Sequence, residues 1–158
     1  MNDAAAYRDH PIYLAGRWVE SPRRLAVEDP AHPGELAGST FLASEEQYEQ
    51  AAEAAVSGFE AMRALPTYER AAALRRISEG IVARQDEIAR LISRESGKSI
   101  RDAAVEAERG VLVFRLAAEE AERLGGETLP LDIAPAHKGR HALTRRFPIG
   151  PVAGISPF

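Results

Sequence analysis

The segment of this sequence that most resembles a chemical motif is a short stretch around a glycine and a lysine. Residues 95–99 read Glu-Ser-Gly-Lys-Ser and end like a phosphate-binding loop, in which backbone amides cradle a phosphate and the lysine reaches outward. The earlier glycine that such a loop requires would fall at position 92, which is Ile92. The preceding residues also have the period of a helix rather than a strand. The segment therefore predicts the end of one helix and the start of another.

A serine and two histidines are the other candidates for chemistry. Residues 154–156 (Gly-Ile-Ser) begin like the turn that exposes a nucleophilic serine, but the second glycine is replaced by Phe158. His137 and His141 have the spacing of one zinc-ligand pair, yet no third ligand is evident, and an extended segment would separate them. The sequence has no cysteine, so these 158 residues contain no thiol nucleophile, disulfide or thiolate metal site.

Composition excludes several classes of partner. The chain is 45% hydrophobic and 28% charged with a net charge of -4, which fits a globular core and gives no general attraction to nucleic acid or anionic lipid. The first ten residues lack the apolar core of a signal peptide, and no apolar run approaches the roughly 18 residues of a membrane span. We therefore expect no nucleic-acid partner, no membrane partner and a cytoplasmic location.

The first part of the chain predicts a β-rich arm. Residues 12–19 place two short strand-forming runs around Ala15 and Gly16, which is typical of a tight hairpin. Residues 25–41 contain two prolines and two glycines, a spacing that predicts two brief strands joined by a turn.

Four helices are predicted next. Ser44 and Gln47 can form a capping box that starts the first helix, Pro66 ends it, and Thr67 is expected to cap the second. A break near residues 85–86 separates two apolar stripes that would suit two antiparallel helices, and the last helix runs from Ser99 to the stop at residues 125–126. The stripes consist of Leu74, Ile77 and Ile81, and of Ile88, Leu91 and Ile92.

The final third returns to strand patterns. Residues 127–133 and 139–149 predict a long hairpin whose faces are both mixed in polarity, so it should pair with another element. Residues 151–158 (Pro-Val-Ala-Gly-Ile-Ser-Pro-Phe) predict a buried parallel strand. No second strand of this type precedes it, so we expect its sheet to be largely missing and the helices to expose apolar stripes.

The order of these segments resembles the aldehyde dehydrogenase superfamily. Residues 13–19 (Tyr-Leu-Ala-Gly-Arg-Trp-Val) are similar to the family's opening, and residues 29–35 to its Asn-Pro-Ala-Thr-Gly-Glu segment. Residues 95–100 resemble its Glu-x-Gly-Lys-Pro turn, with Ser99 in place of proline. Residues 126–128, 145–146 and 148–158 complete the resemblance, which covers everything after about residue 10.

The resemblance implies that the fold class is α/β and that the chain forms the N-terminal part of the aldehyde dehydrogenase fold. This part comprises four segments. These are a β-rich arm (1–43), a helical part of the cofactor-binding domain that covers a Rossmann-like sheet (44–126), an oligomerisation β-ribbon (127–150) and the first strand of that sheet (151–158). It also implies a homo-oligomer that forms through residues 127–150.

The resemblance further implies where a cofactor, NAD or NADP, would bind. Ile155, Ser156, Pro157 and Phe158 are the positions that match the family's cofactor-lining segment. The parent enzyme would oxidise an aldehyde to a carboxylic acid through a cysteine thiohemiacetal and thioester, with a glutamate that activates water. The 158 residues hold neither group, so the chain alone is expected to be inactive and to bind no cofactor tightly. The alternative is a non-catalytic dimerisation module that pairs with a full-length enzyme.

Overall fold

The computed structural model describes residues 9–156 and begins with a β-rich arm. In order, the arm comprises β1 (Asp9–His10), β2 (Ile12–Leu14), β3 (Arg17–Val19), β4 (Arg24–Glu28) and β5 (Leu36–Phe41). β2 and β3 form an antiparallel hairpin, while β5 pairs antiparallel with β4 and parallel with β1. The predicted hairpin and the pair of strands after it are both confirmed.

The hairpin turns where the sequence predicts it. Ala15 and Gly16 both have positive φ, 48° and 82°, and two successive left-handed residues are typical of the hairpin turn whose twist matches its strands. Tyr13 lies opposite Trp18 in the ladder, and their ring centroids are 4.9 Å apart. Both rings remain mostly exposed to solvent.

Four helices follow in the described chain: α1 (Glu45–Ala64), α2 (Thr67–Ala83), α3 (Gln85–Ser96) and α4 (Ile100–Arg123). The capping box at the start of α1 is confirmed, because the Gln47 amide donates to Ser44 Oγ at 3.2 Å and the Ser44 amide donates to Gln47 Oε1 at 2.9 Å. These two bonds satisfy amides that a helix start leaves unpaired.

The start of α2 and the break before α3 differ slightly from expectation. The prediction that Thr67 caps α2 is wrong. Pro66 occupies the cap position and makes no side-chain cap bond, and Thr67 is the first helical residue. Its hydroxyl instead accepts a hydrogen bond from Arg70 Nη2 at 3.3 Å. The break falls at Arg84, one residue before the predicted pair, because Arg84 leaves the helical region at φ -123° and ψ 18°.

Helix α4 forms the centre of the helical part and packs against both α2 and α3. The predicted pairing of α2 with α3 is therefore minor. Ala89, Ala103 and Ala107 form a small buried cluster between α3 and α4, with Ile88 and Ile92 packed against it. Between α2 and α4, the hydroxyl of the buried Ser78 donates to the Val111 carbonyl at 2.9 Å. Small side chains permit this close approach of the helix backbones.

Apolar stripes are exposed, as expected. None of the side chains of α1 is buried, although its apolar residues recur at helical spacing. On α2 and α4, several large apolar side chains are 42–66% exposed: Tyr68, Ile77, Val82, Ile100, Val105, Leu112, Val113, Leu116. Among the described residues, none of the helices combines the length and apolar character that a membrane span requires.

The ribbon is shorter than predicted. It consists of β6 (Thr128–Pro130) and β7 (His141–Leu143), paired antiparallel and joined through a 3-10 turn at Pro135–His137. The residues after Leu143 leave the ladder because β6 begins only at Thr128, which lies opposite Leu143, and no other strand of the described chain pairs with the ribbon. Both strands are largely exposed.

The predicted buried strand at residues 151–158 is wrong for the part that the structure describes. Residues 151–156 form no strand, and all six are exposed. An isolated strand leaves its backbone donors and acceptors without partners, and the described residues place no strand beside this segment. Pro157 and Phe158 lie outside the described residues.

Candidate functional site

The segment that would line a cofactor is open to solvent in this structure. The side chain of Ile155 is 97% exposed, and Ser156 is exposed as well. In open α/β sheets a dinucleotide binds at the carboxyl ends of parallel strands, and the described residues place no parallel sheet around residues 151–156. These residues alone therefore do not fit a dinucleotide, and Pro157 and Phe158 lie outside the described part of the chain.

The glycine and lysine of residues 95–99 join two helices, as the sequence predicts. Gly97 ends α3 in the left-handed region at φ 70°, and its amide donates to the Ser93 carbonyl at 2.9 Å. Ser99 caps α4 by accepting from the Asp102 amide at 3.2 Å, and its hydroxyl donates to the Asp102 carboxylate at 2.7 Å. Lys98 Nζ lies 2.6 Å from a carboxylate oxygen of Glu106. This lysine is thus paired with a carboxylate.

The two histidines are not brought together with other ligands. His137 lies in the 3-10 turn and His141 in β7. Among the described residues, no cluster of three or more His, Asp or Glu side chains could hold a metal ion.

Sequence analysis missed the most deeply buried charged side chain, Asp29, which is 3% exposed. Its Oδ1 accepts from the Ala31 amide at 2.9 Å, and its Oδ2 lies 3.1 Å from His32 Nδ1. Arg94 on α3 approaches Oδ2 to 3.9 Å and donates through Nη2 to the Leu36 carbonyl at 3.1 Å. Asp29 and Arg94 therefore hold the arm against α3. An aspartate before a proline is an ordinary turn signal, so nothing in the sequence marked its burial.

The surroundings of Asp29 favour its ionised form. The hydrogen bond from His32 lowers the pKa of Asp29 below the usual 3.8. The hydrogen bonds from the backbone amides of Ala31 and His32 and the charge on His32 also lower this pKa, whereas partial desolvation raises it. Because the folded-state pKa is depressed, the stabilising contribution of Asp29 is present above about pH 3.9 and is lost as pH falls through the folded value.

Removal of the Asp29 charge should lower the stability of the fold in a pH-dependent way. In Asp29→Asn the amide oxygen can still accept from Ala31, so the variant removes mainly the charge that faces His32 and Arg94. We expect a lower urea midpoint than wild type at pH 7, with the difference shrinking below pH 4. Asp132→Asn, at an exposed loop position, should change the midpoint little at either pH. Equal midpoints for Asp29→Asn and wild type at pH 7 would contradict the assignment.

A second polar cluster lies at the start of the arm. The buried Ser39 hydroxyl accepts from Arg24 Nε at 3.0 Å and donates to the Asp9 carboxylate, which also pairs with Arg24. The hydrogen bond from Ser39 lowers the pKa of Asp9, as does Arg24. The Asp9 carboxylate that accepts from Ser39 is itself paired with Arg24, and no histidine contacts Ser39 among these bonds, so the cluster ties β1 to β4 and β5 rather than forming a nucleophilic site.

The geometry defines an α/β protein in which a β-rich arm, a layer of helices and a two-stranded ribbon occur in this order along the chain. The model of the family described as "Aldehyde dehydrogenase family" matches residues 18–158. Because this match covers most of the sequence, the chain belongs to the aldehyde dehydrogenase family.

Individual relatives agree with this assignment. The chain is 36% identical over 148 residues to malonate-semialdehyde dehydrogenase 2 of Geobacillus kaustophilus, covering 92% of this chain and 30% of the relative. It is 29% identical over 158 residues to 3-sulfolactaldehyde dehydrogenase of Priestia aryabhattai, covering 100% of this chain and 32% of the relative. The chain thus spans about a third of the length of the curated relatives it matches.

Solved structures show the same fold. Aldehyde dehydrogenase 21 from Physcomitrella patens, in complex with the reaction product succinate, superposes with a TM-score of 0.81 and 34% identity, covering 90% of this chain and 30% of that one. NADP-dependent glyceraldehyde-3-phosphate dehydrogenase from Bacillus halodurans gives a TM-score of 0.78 and 31% identity, covering 87% and 29%. The chain has the fold of the N-terminal part of these enzymes.

Proposed function

We propose that this chain is the N-terminal part of an enzyme that oxidises an aldehyde to a carboxylic acid with NAD or NADP as hydride acceptor. The match of the family over residues 18–158 carries the proposal. The 158 residues contain no cysteine, so the thiol that forms the thiohemiacetal and thioester must come from outside them. The residues described here contribute the arm, the helices and the ribbon, and the chain alone is inactive.

The experiment compares two proteins in one assay. The 158-residue chain and the product of the whole reading frame that encodes it are each incubated with NAD+ or NADP+ and a panel of short aldehydes and semialdehydes, and absorbance at 340 nm is followed. We expect aldehyde-dependent reduction of the cofactor by the longer protein and none by the 158-residue chain. Activity of the short chain, or none from the longer protein with any aldehyde, would overturn the proposal. Fractionation of cells that express the longer protein tests the cytoplasmic location that we also propose.

An alternative function is favoured by the ribbon. β6 and β7 are exposed, and their outer edges pair with no other strand of the described chain, so either edge could add to a strand of another subunit. We propose that residues 127–150 form a contact between subunits, either within a homo-oligomer or between this chain and a full-length enzyme. Native mass spectrometry of the chain mixed with a full-length relative tests the second case. The absence of any mixed species at high concentration would rule out a module that pairs with the enzyme.

A further inference from the structure

Helix α1 is the least packed of the four helices in the described chain. None of its 20 residues is buried, and only Gln47, Ala54 and Phe59 are half-buried. α2, α3 and α4 each bury at least one side chain, and α4 packs against both of the others. Most of the stability of a helix in a protein comes from the packing of one face, so α1 depends on the elements at its two ends.

The first end of α1 is attached to the arm. Gln47 Nε2 donates to the carbonyl of Glu20, the residue after β3, at 3.0 Å, and α1 makes its main contact with β2. The other end leads into α2 through Leu65 and Pro66, which both have extended backbone. Arg70 of α2 donates to the Leu65 carbonyl at 2.5 Å. By these contacts α1 belongs with the arm, and a short extended linker separates it from the other helices.

The arm meets α2, α3 and α4 mainly at the end of α3. Arg94 donates to the Leu36 carbonyl at 3.1 Å and lies 3.9 Å from the carboxylate of Asp29. Gly97 lies against Pro30, because a Cβ atom at this position would be 3.0 Å from Pro30 Cγ. This junction is small and mostly polar, whereas the buried alanines of α2, α3 and α4 are only 0–3% exposed. The arm is therefore joined to these helices less firmly than the helices are joined to one another.

We propose that residues 9–65, the arm together with α1, form a unit that unfolds reversibly while α2, α3 and α4 remain folded, and that Arg94 holds this N-terminal unit closed. Proteins open locally in contiguous cooperative units, and a unit with few buried apolar contacts opens at a lower free energy than the whole molecule. The strands of the arm are two to six residues long, and small sheets of this kind need support from a packed neighbour. Arg94 lies on α3, outside the unit, and supplies that support across the junction. This behaviour is a property of the 158 residues and does not depend on the proposed dehydrogenase function.

Hydrogen exchange of the 158-residue chain in increasing urea, below the main unfolding transition, tests whether this unit exists. The amides of β4, β5 and α1 should share one free energy of opening, which is lower than the one shared by the amides of α2 and α4. Ala55→Gly and Ala104→Gly are a matched pair, because both alanines are exposed, one on α1 and the other on α4. Ala55→Gly should speed exchange about fivefold in β4 and β5 as well as in α1, since glycine weakens a helix interior and the three elements open together. Ala104→Gly should speed exchange about fivefold in α2 and α4 but not in β4, β5 or α1, because α4 stays folded when the unit opens.

A second pair of variants tests the role of Arg94. Arg94→Ala should speed exchange in β4, β5 and α1 about tenfold, because it removes a hydrogen bond from a charged group across the junction. Arg90→Ala, which removes an exposed arginine one turn earlier on α3, should leave these rates within about twofold of wild type. Equal exchange in the two variants would overturn the role of Arg94.

Three results would overturn the N-terminal unit itself. The first is that the amides of β4, β5 and α1 share the opening free energy of α2 and α4. The second is that β4 and β5 respond to Ala104→Gly. The third is that Ala55→Gly speeds exchange in α1 and leaves β4 and β5 unchanged, because α1 would then open without the arm.

Discussion

Gly126→Ala should open the ribbon while leaving the helices intact. A Cβ atom at Gly126 would overlap the carbonyl oxygen of Thr144 and lie 2.6 Å from its carbonyl carbon. Both obstacles are backbone atoms, so rotation of a side chain cannot relieve them. This is where the ribbon closes: the Thr144 amide donates to the Glu127 carbonyl at 2.9 Å, and the Glu127 amide donates to Thr144 Oγ1 at 2.8 Å. The substitution must separate the two ends of the ribbon and break these bonds.

The loss should be complete at the ribbon because a two-stranded hairpin is only marginally stable in water. Overpacking typically costs about 1–3 kcal/mol, and this cost exceeds the stabilisation that the three paired positions of the ribbon can provide. Hydrogen exchange should show the amides of Leu131 and Thr144 losing protection, while amides within α2 and α4 exchange as in wild type. Gly125→Ala is the matched control, since its Cβ would meet nothing closer than the Arg123 carbonyl oxygen at 3.8 Å. Unchanged protection at Leu131 and Thr144 in Gly126→Ala would contradict this account.

Local signals explain how much of the fold could be predicted from the sequence. The capping box of Ser44 and Gln47 and the left-handed pair Ala15 and Gly16 are decided by residues within four positions of one another, and both are confirmed. The family resemblance carried the arrangement of arm, helices and ribbon, which helical period alone could not supply. Periodicity identifies which face of α2 is apolar, but its partner, α4, is chosen by long-range packing of small side chains such as Ser78.

The candidate cofactor segment, residues 151–156, shows what local sequence could not predict. Ile155 has the type expected of a buried strand residue, yet a strand is defined by the partner that accepts and donates its backbone hydrogen bonds, and the described residues place none beside it. Sequence analysis missed the burial of Asp29 for a related reason. Its burial depends on Arg94, which is 65 positions away in sequence, so no local pattern could reveal it.

Gly97→Ala and Gly58→Ala should change stability in opposite directions although both replace glycine by alanine. Gly97 has φ 70°, and a Cβ there would lie 3.0 Å from Cγ of Pro30. The left-handed conformation costs a non-glycine residue about 1–2 kcal/mol, and crowding against the arm adds to it. Gly58 lies inside α1 with nothing within 4 Å of its Cβ position, so alanine there should stabilise the helix by about 0.5–1 kcal/mol.

Urea unfolding followed by circular dichroism measures both free energies, and Gly97→Asn separates the two causes at Gly97. Asparagine tolerates the left-handed region better than alanine but carries the same Cβ towards Pro30. If backbone conformation dominates, Gly97→Asn should recover most of the stability lost in Gly97→Ala; if the contact with Pro30 dominates, the two variants should be equally unstable. Gly97 ends α3 at the place where Asp29 and Arg94 hold the arm. If the contact with Pro30 dominates, both Gly97→Ala and Gly97→Asn should therefore loosen the arm, and the amides of Asp29 and Glu35 should exchange faster than in wild type. A Gly97→Ala protein as stable as wild type would show that neither the turn nor the junction constrains this residue.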